Sequence, residues 1–428
     1  MREVIEYPRF TVIIPQKNRA EYLRYTLLSC MNQDYPNYEI IVSDDCSSDN
    51  SVEMIKELQL RDSRITLYAH SNHLGMRDNF EFALSKVKPG YVLALGGDDG
   101  LAPNSIHRMY EILKLTNKKL LAWNPAGYLY SGIPGKDIFN VKRCKNSRVQ
   151  IIKSSDYLNK IAKSFFYCSD DSPMFYVKGV VSTEIVDIVK SRTPDHCFYY
   201  CPTPDGFSGV VLAGEVEDYA YTNEPLSLVG SSPKSQGKNY HRTDEKSREE
   251  AQQFFNDNIR RSMHRELASQ PYSPLVTLMT ADYLLTARDL PGWPGKFEMF
   301  SFEDLIRKTF KFIEKSSFEK ETLVRELQIL RAIAEQHNLI DLFDELYMRT
   351  KRKVICKEDV FGFVITNSIR FSGKQLNMSN IYDASLATNF VYNFNKIFSF
   401  KLLLELFVNS FKVLRRAKKF RIEKLPEF

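Results

Sequence analysis

Four short β-type runs fall within the first hundred residues: Phe10 to Pro15, Tyr38 to Asp45, Ile65 to His70 and Tyr91 to Asp99. Each ends in polar or glycine residues and gives way to a helical pattern. Tyr22, Leu23, Thr26, Leu27 and Cys30, for example, recur at helical spacing before the break from Gln33 to Pro36. Strands alternating with helices at this interval predict a sheet built from parallel strands joined by crossover helices. In such a sheet ligands collect at the carboxyl ends of the strands, where the chain carries Asn18, Asp44, Asp45, Asp98 and Asp99. These polar residues are therefore expected to converge on one crevice.

A chain of 428 residues, 43% of them hydrophobic, exceeds what a single core usually serves. From about residue 116 to 245 the pattern is mixed. Strand-like pieces lie at Leu120 to Ala126 and Tyr219 to Val229, with a helix near Val181 to Lys190. The glycine-, serine- and lysine-rich stretch from Gly230 predicts a loop closing this unit. Between Gly295 and Gly362 there is no glycine, and no proline before Pro426, while Leu, Lys, Glu and Arg recur at helical spacing. This predicts a helical C-terminal domain over 246–428. The α/β domain spans 1–245, in two halves, 1–115 and 116–245.

The N-terminal strand with Lys17-Asn18-Arg19, then Ile41-Val42-Ser43-Asp44-Asp45-Cys46-Ser47, then Gly96-Gly97-Asp98-Asp99-Gly100, come in a fixed order. Together they resemble the nucleotide-sugar glycosyltransferases of the GT-A fold, specifically the inverting family two of bacterial surface-polysaccharide type. The resemblance covers roughly residues 8 to 240. It implies a Rossmann-like mixed α/β sheet flanked by helices, a nucleotide-diphosphate-sugar donor (UDP favoured, dTDP and GDP open) and a divalent cation, manganese or magnesium. A hard cation of that kind is held by carboxylate oxygens. By the resemblance Asp99 is the metal ligand, and Asp98 faces the ribose or the metal's waters. Asp45 accepts from the donor base, Pro15, Asn18 and Arg19 surround it, and Asn72, Gly75 and Arg77 border ribose and phosphates. Lys234, Lys238, His241 or Arg242 would meet the diphosphate, and His241 is a further metal candidate. The plainer readings are an acidic turn for Asp98-Asp99, a solvated helix residue for Arg77 and a solvated loop for the basic group.

Inversion needs a carboxylate to remove the acceptor hydroxyl's proton. Asp205, in Pro202-Thr203-Pro204-Asp205-Gly206 ahead of an apolar helical stretch, is the candidate; Glu217 and Asp218 are its rivals, and a plain helix N-cap is the structural reading. A Gly-x-Gly-x-x-Gly turn after the first strand is missing, which excludes a nicotinamide dehydrogenase. A catalytically silent scaffold and a nucleotidyltransferase stay open.

The formal charge of +6 is modest and nucleic acid is not expected as a partner. Phe400, Leu403, Leu404, Phe407, Phe411 and Leu414 form an apolar stripe that runs into Arg415 to Lys424. Residues 396–428 thus read as an amphipathic basic helix for an anionic membrane surface, or as a last packed helix. The acceptor expected is a glycan or lipid-linked glycan. A charged start and the lack of a long apolar run place the chain in the cytoplasm, peripheral to the membrane's inner face.

Overall fold

The computed structural model describes residues 7–130, 138–142, 149–201, 203, 205–235, 261–314, 320–354, 368–372 and 378–397. The N-terminal alternation is present as β1 (Phe10–Gln16), α1 (Ala20–Met31), β2 (Tyr38–Asp44), α2 (Ser51–Gln59), β3 (Ile65–Ala69), α3 (Met76–Ser85) and β4 (Tyr91–Ala94). There follow β5 (Gly100–Leu101), α4 (Ser105–Thr116), β6 (Leu120–Trp123), β7 (Ala126–Leu129), β8 (Ile138–Lys142), β9 (Gln150–Lys153), α5 (Ser154–Ser164), β10 (Gly179–Ser182), α6 (Thr183–Arg192), α7 (Gly206–Glu215), β11 (Asp218–Thr222) and β12 (Ser227–Ser231). The C-terminal region is helical, with α8 (Val276–Arg288), α9 (Phe302–Ile313), α10 (Lys320–Gln336), α11 (Ile340–Val354) and, after the strand β13 (Ser368–Ser372), α12 (Ile381–Ile397).

Among the described residues the strands form a mixed eight-stranded sheet in the order β3-β2-β1-β4-β10-β6-β11-β9 and a second sheet in the order β13-β8-β7-β12-β5. Strands β1 to β4 are parallel, β10 lies antiparallel between β4 and β6, and β11 is again parallel to β6. All strands that lead into the acidic residues therefore point the same way. Alternation along the strands divides the core in two. Phe10, Val12, Ile14, Ile40 and Val42 face a cluster with Leu23, Leu27, Met54, Ile55, Ile106 and Met109 of α1, α2 and α4. Ile13, Ile41, Val92 and Ala94 face the opposite cluster, with Phe80, Tyr157, Ile185 and Val210 of α3, α5, α6 and α7. Leu278, Tyr283, Phe310, Leu330 and Phe343 of α8 to α11 belong to that same cluster. The C-terminal helices thus lie as a further layer over α5 to α7. By contrast α12 packs beside α1 and the second sheet, with Ile381 over Gly100.

Some expected boundaries move. Pairing of β4 stops at Ala94 opposite Ile13, and Leu95 to Asp99 form a turn closed by the Asp99 amide on the Gly96 carbonyl, 3.2 Å. The helix expected near Val181 begins at Thr183, because Val181 and Ser182 pair with Val92 and Tyr91 at the end of β10. The run Tyr219 to Val229 divides between two sheets as β11 and β12. The expected boundary at 245 and the stripe from Phe400 to the basic end fall outside the described residues, among which no helix is long and apolar enough to cross a membrane.

One contact shows how tightly the outer layer is seated. A Cβ on Gly214 would come within 2.0 Å of the Trp293 ring, whose indole N–H donates to the Val211 carbonyl at 3.1 Å. Gly214→Ala is expected to cost about 1–3 kcal/mol by overpacking. Of the two tryptophans, Trp123 is fully buried, so a red shift in fluorescence on this substitution would report Trp293 leaving its seat. An unchanged urea midpoint and spectrum would show that the layer yields freely.

Candidate active site

The carboxyl edge of the parallel strands carries three linked groups. The first loop follows β1, where Pro15 is buried in register with Ser43. Asn18 adopts a left-handed conformation, φ +53°, which asparagine tolerates. Its Oδ1 accepts from the Ser48 and Asp49 amides at 2.7 and 3.3 Å, tying this loop to the one after β2. Asp44, at the end of β2, accepts from the Ser47 amide at 3.0 Å and from the Gln16 side chain, and so holds its own loop together.

Asp45 is 3% exposed and engages the next loop. It accepts from the Leu74 and Gly75 amides at 2.6 and 3.2 Å, and the His73 Nδ1 lies 2.7 Å from its Oδ2. Lys17 Nζ approaches His73 at 3.0 Å. Asn72 is exposed beside this contact. Arg77, in the first turn of α3, turns the other way. Its Nε donates to the Tyr199 carbonyl at 2.6 Å and its Nη2 reaches Cys197 Sγ at 3.0 Å. Glu81, one turn on, accepts from the Phe198 and Tyr199 amides at 2.9 Å each. Arg77 thereby ties the start of α3 to the segment leading to Asp205.

The second group is Asp98 and Asp99, 3% and 1% exposed. Asp98 Oδ1 accepts from Arg19 Nη1 at 2.5 Å, and its Oδ2 accepts from Ser232 Oγ at 2.7 Å and Ser235 Oγ at 2.8 Å. Arg19 Nη2 also donates to the Lys234 carbonyl, 2.8 Å, while Lys234 Nζ donates to the Asn18 carbonyl, 2.6 Å. The loop from Gly230 is thus latched across the first loop. Asp99 accepts from the Gly96 amide at 2.7 Å and the Gly230 amide at 2.8 Å, with a further side-chain bond to Tyr176. A Cβ on Gly230 would sit 1.6 Å from the Asp98 carbonyl, so only glycine allows β12 this close. Burial, and then the neighbouring Asp98 charge, push the Asp99 carboxyl up to about 7. Two carboxylates facing one guanidinium leave a net negative site. With two amides and the Tyr176 hydroxyl on its two oxygens, Asp99 keeps one lone pair, so together with Asp98 it fits a hard dication completed by ligand oxygens. No group of three or more metal-ligating side chains exists among the described residues, and His241, Lys238 and Arg242 lie outside them.

Asp205 stands immediately before α7 and is half-buried. Its Oδ2 lies 3.4 Å from the Tyr167 hydroxyl, and its Oδ1 is shielded from solvent without a hydrogen-bond partner among the described residues. The topology separates it from its rivals. β11 runs parallel to β6, so Asp218 and Glu217 lie at the amino edge, where Asp218 pairs with Lys118. The ten residues of α7, at ~1.5 Å each, lead back about 15 Å from that edge. Residues 197–199, bound by Arg77 and Glu81 near the start of α3, mark the carboxyl edge just before Asp205.

Tyr176, Ser232, Ser235 and Tyr167 were not singled out by sequence reasoning. The serine content of the loop was visible, but its register on Asp98 depends on β12. Nothing local marks the tyrosines, which arrive from segments distant in sequence.

Residues 11–138 match the family model described as glycosyl transferase family 2. An uncharacterized glycosyltransferase of Haemophilus influenzae is 30% identical over 131 residues, 31% of this chain and 51% of that protein. The GalNAc(5)-diNAcBac-PP-undecaprenol beta-1,3-glucosyltransferase of Campylobacter jejuni is 33% identical over 105 residues, 24% of this chain and 34% of that protein. The chain therefore spans about half or less of the length of these curated relatives. Among solved structures, S. aureus TarS in complex with UDP-GlcNAc is similar at 13% identity with a TM-score of 0.44, over 80% of this chain and 92% of that one.

Proposed function

We propose, on the premise that residues 11–138 form a glycosyl transferase family 2 domain, that the chain is an inverting, divalent-metal-dependent transferase of bacterial cell-surface polysaccharide synthesis. It would move a sugar from a nucleotide diphosphate donor, UDP first, onto a hydroxyl of a glycan or lipid-linked glycan. The observation that carries this reading is the charge pattern at one sheet edge: Asp45, Asp98 and Asp99 beside loops that bridge them, with Asp205 opening α7. In the proposal Asp45 receives the base in place of part of the 73–75 loop, and Arg19 and Asp98 border the ribose. Asp99 holds the cation, with His241, outside the described residues, a second candidate. A bound dication supplies the positive charge that a departing diphosphate needs. Asp205 takes the proton of the acceptor hydroxyl as that oxygen attacks the anomeric carbon from the face opposite the nucleotide. The lipid-linked acceptor of the Campylobacter jejuni relative supports an acceptor at a membrane, where the basic sequence of 396–428 would hold the enzyme on the inner face.

A catalytically silent scaffold is favoured by one fact only, that Asp45, Asp98 and Asp99 already accept protein donors. A thermal-shift screen of UDP-, dTDP- and GDP-sugars with and without manganese separates the two. The transferase is expected to be stabilised by one nucleotide class when manganese is present, by about 2.7 kcal/mol at ~100 times the dissociation constant. No shift with any donor would favour the scaffold.

A further inference from the structure

We infer that Tyr167 is a positioning residue for Asp205, and that the C-terminal helical region, through α8, holds Tyr167 in place. The inference rests on the transferase reading, in which Asp205 is the base.

Three buried tyrosines surround Asp205: Tyr167, Tyr272 and Tyr283 are 6%, 2% and 0% exposed. Their roles differ by geometry. The Tyr167 hydroxyl faces Asp205 Oδ2 at 3.4 Å, a long bond of the kind that tightens when ligand binds. The Tyr283 hydroxyl is instead bonded to Thr203 Oγ1 at 2.7 Å, and Tyr272 is bonded to both Tyr283 and Thr203. The backbone of Tyr167 is fixed from α8, since its amide donates to Thr280 Oγ1 at 3.2 Å and that hydroxyl donates to the Val276 carbonyl at 2.6 Å. Its ring meets the Tyr283 ring edge-on at 5.5 Å. Both rings press on the residue after Asp205, where a Cβ on Gly206 would lie 2.2 Å from Tyr283 and 2.9 Å from Tyr167.

The consequence is an asymmetric carboxylate. Burial raises the Tyr167 phenol well above its ordinary value, so it stays protonated and can only donate toward Oδ2. Among the described residues Oδ1 has no hydrogen-bond partner, and it is shielded from solvent. A carboxylate with one oxygen facing a fixed donor keeps a single orientation, which proton abstraction requires. Because Thr280 and Tyr283 sit on α8, the helical region is part of the catalytic pocket's frame.

The test is a double-substitution cycle in the full chain. Nucleotide release from UDP-N-acetylglucosamine, UDP-glucose and UDP-galactose is measured with manganese, alongside UDP affinity. Tyr167→Phe keeps the ring and removes only the hydroxyl. It is expected to lower turnover about tenfold with Asp205 present, and less than about twofold in the Asp205→Asn background, with UDP affinity held within about twofold. A purely structural effect would carry equally into both backgrounds, and that outcome overturns the inference. So does full turnover by Tyr167→Phe alone. If Asp205→Asn costs nothing, or the unsubstituted chain releases no nucleotide, the transferase reading itself falls first and takes the inference with it.

Discussion

Asp205→Asn is expected to lower transfer by about 10² to 10⁴-fold while leaving donor affinity intact, the range that loss of a general base produces. The amide is close in shape to the carboxylate, and its oxygen can still accept from Tyr167 at the same position. The fold around α7 should therefore survive, with the Ser208 hydroxyl on the Asp205 backbone carbonyl undisturbed. What disappears is the capacity of the carboxylate to accept a proton. Steady-state transfer and nucleotide affinity, measured on the same preparation, separate a lost base from a lost donor site. Glu217→Gln and Asp218→Asn are the comparison. Asp218 is spent on Lys118 at the amino edge of β11, so neither substitution should approach the same loss. Transfer that persists in Asp205→Asn and vanishes in one of these two would mean the base has been misassigned.

The parts of this site that could be read from sequence are those where a strand, a turn and a carboxylate are contiguous. β1, β2 and β3 announce themselves because each is a run of β-branched and aromatic residues ending in polar ones. Once three parallel strands are granted, their carboxyl ends must share an edge. The same logic fails where a strand is short and its neighbours are remote. β10 is four residues long and lies antiparallel between β4 and β6, and its last two residues were absorbed into the following helix. β12 parts from β11 for a second sheet that also recruits β13 from beyond residue 367. Contacts of that span have no local signature. For this reason the serines that seat on Asp98 and the tyrosine that meets Asp99 went unnamed. Arg77 illustrates the converse. Its position after β3 suggests a phosphate contact, and what sequence could not show is that α3 also abuts residues 197–199, where a carbonyl and a thiol accept from the guanidinium.

The Asp98–Asp99 pair yields a prediction in which stability and function move in different ways. Asp99→Asn is expected to abolish metal-dependent donor binding, because an amide offers a dication no negative charge. The same substitution should change how the metal-free protein responds to pH. The Asp99 carboxyl is raised from its ordinary 3.8 to about 7 by burial and by Asp98, so the fold favours its protonated form. Its contribution to stability is fully present below an ordinary carboxyl pKa and is lost as pH rises through about 7. The metal-free wild type should thus weaken between about pH 5 and about pH 8, by up to a few kcal/mol. The substituted amide cannot ionise, so that slope should flatten in the variant, even though one of the Gly96 and Gly230 amides loses its oxygen acceptor and lowers stability at every pH. Adding manganese to the wild type should recover stability at the upper end and do nothing for Asp99→Asn. Urea midpoints at the two pH values, with and without manganese, read all four cases. A variant with the wild-type slope would mean that Asp99 is not the acid titrating there, and one that still binds donor with manganese would move the cation to Asp98 or beyond.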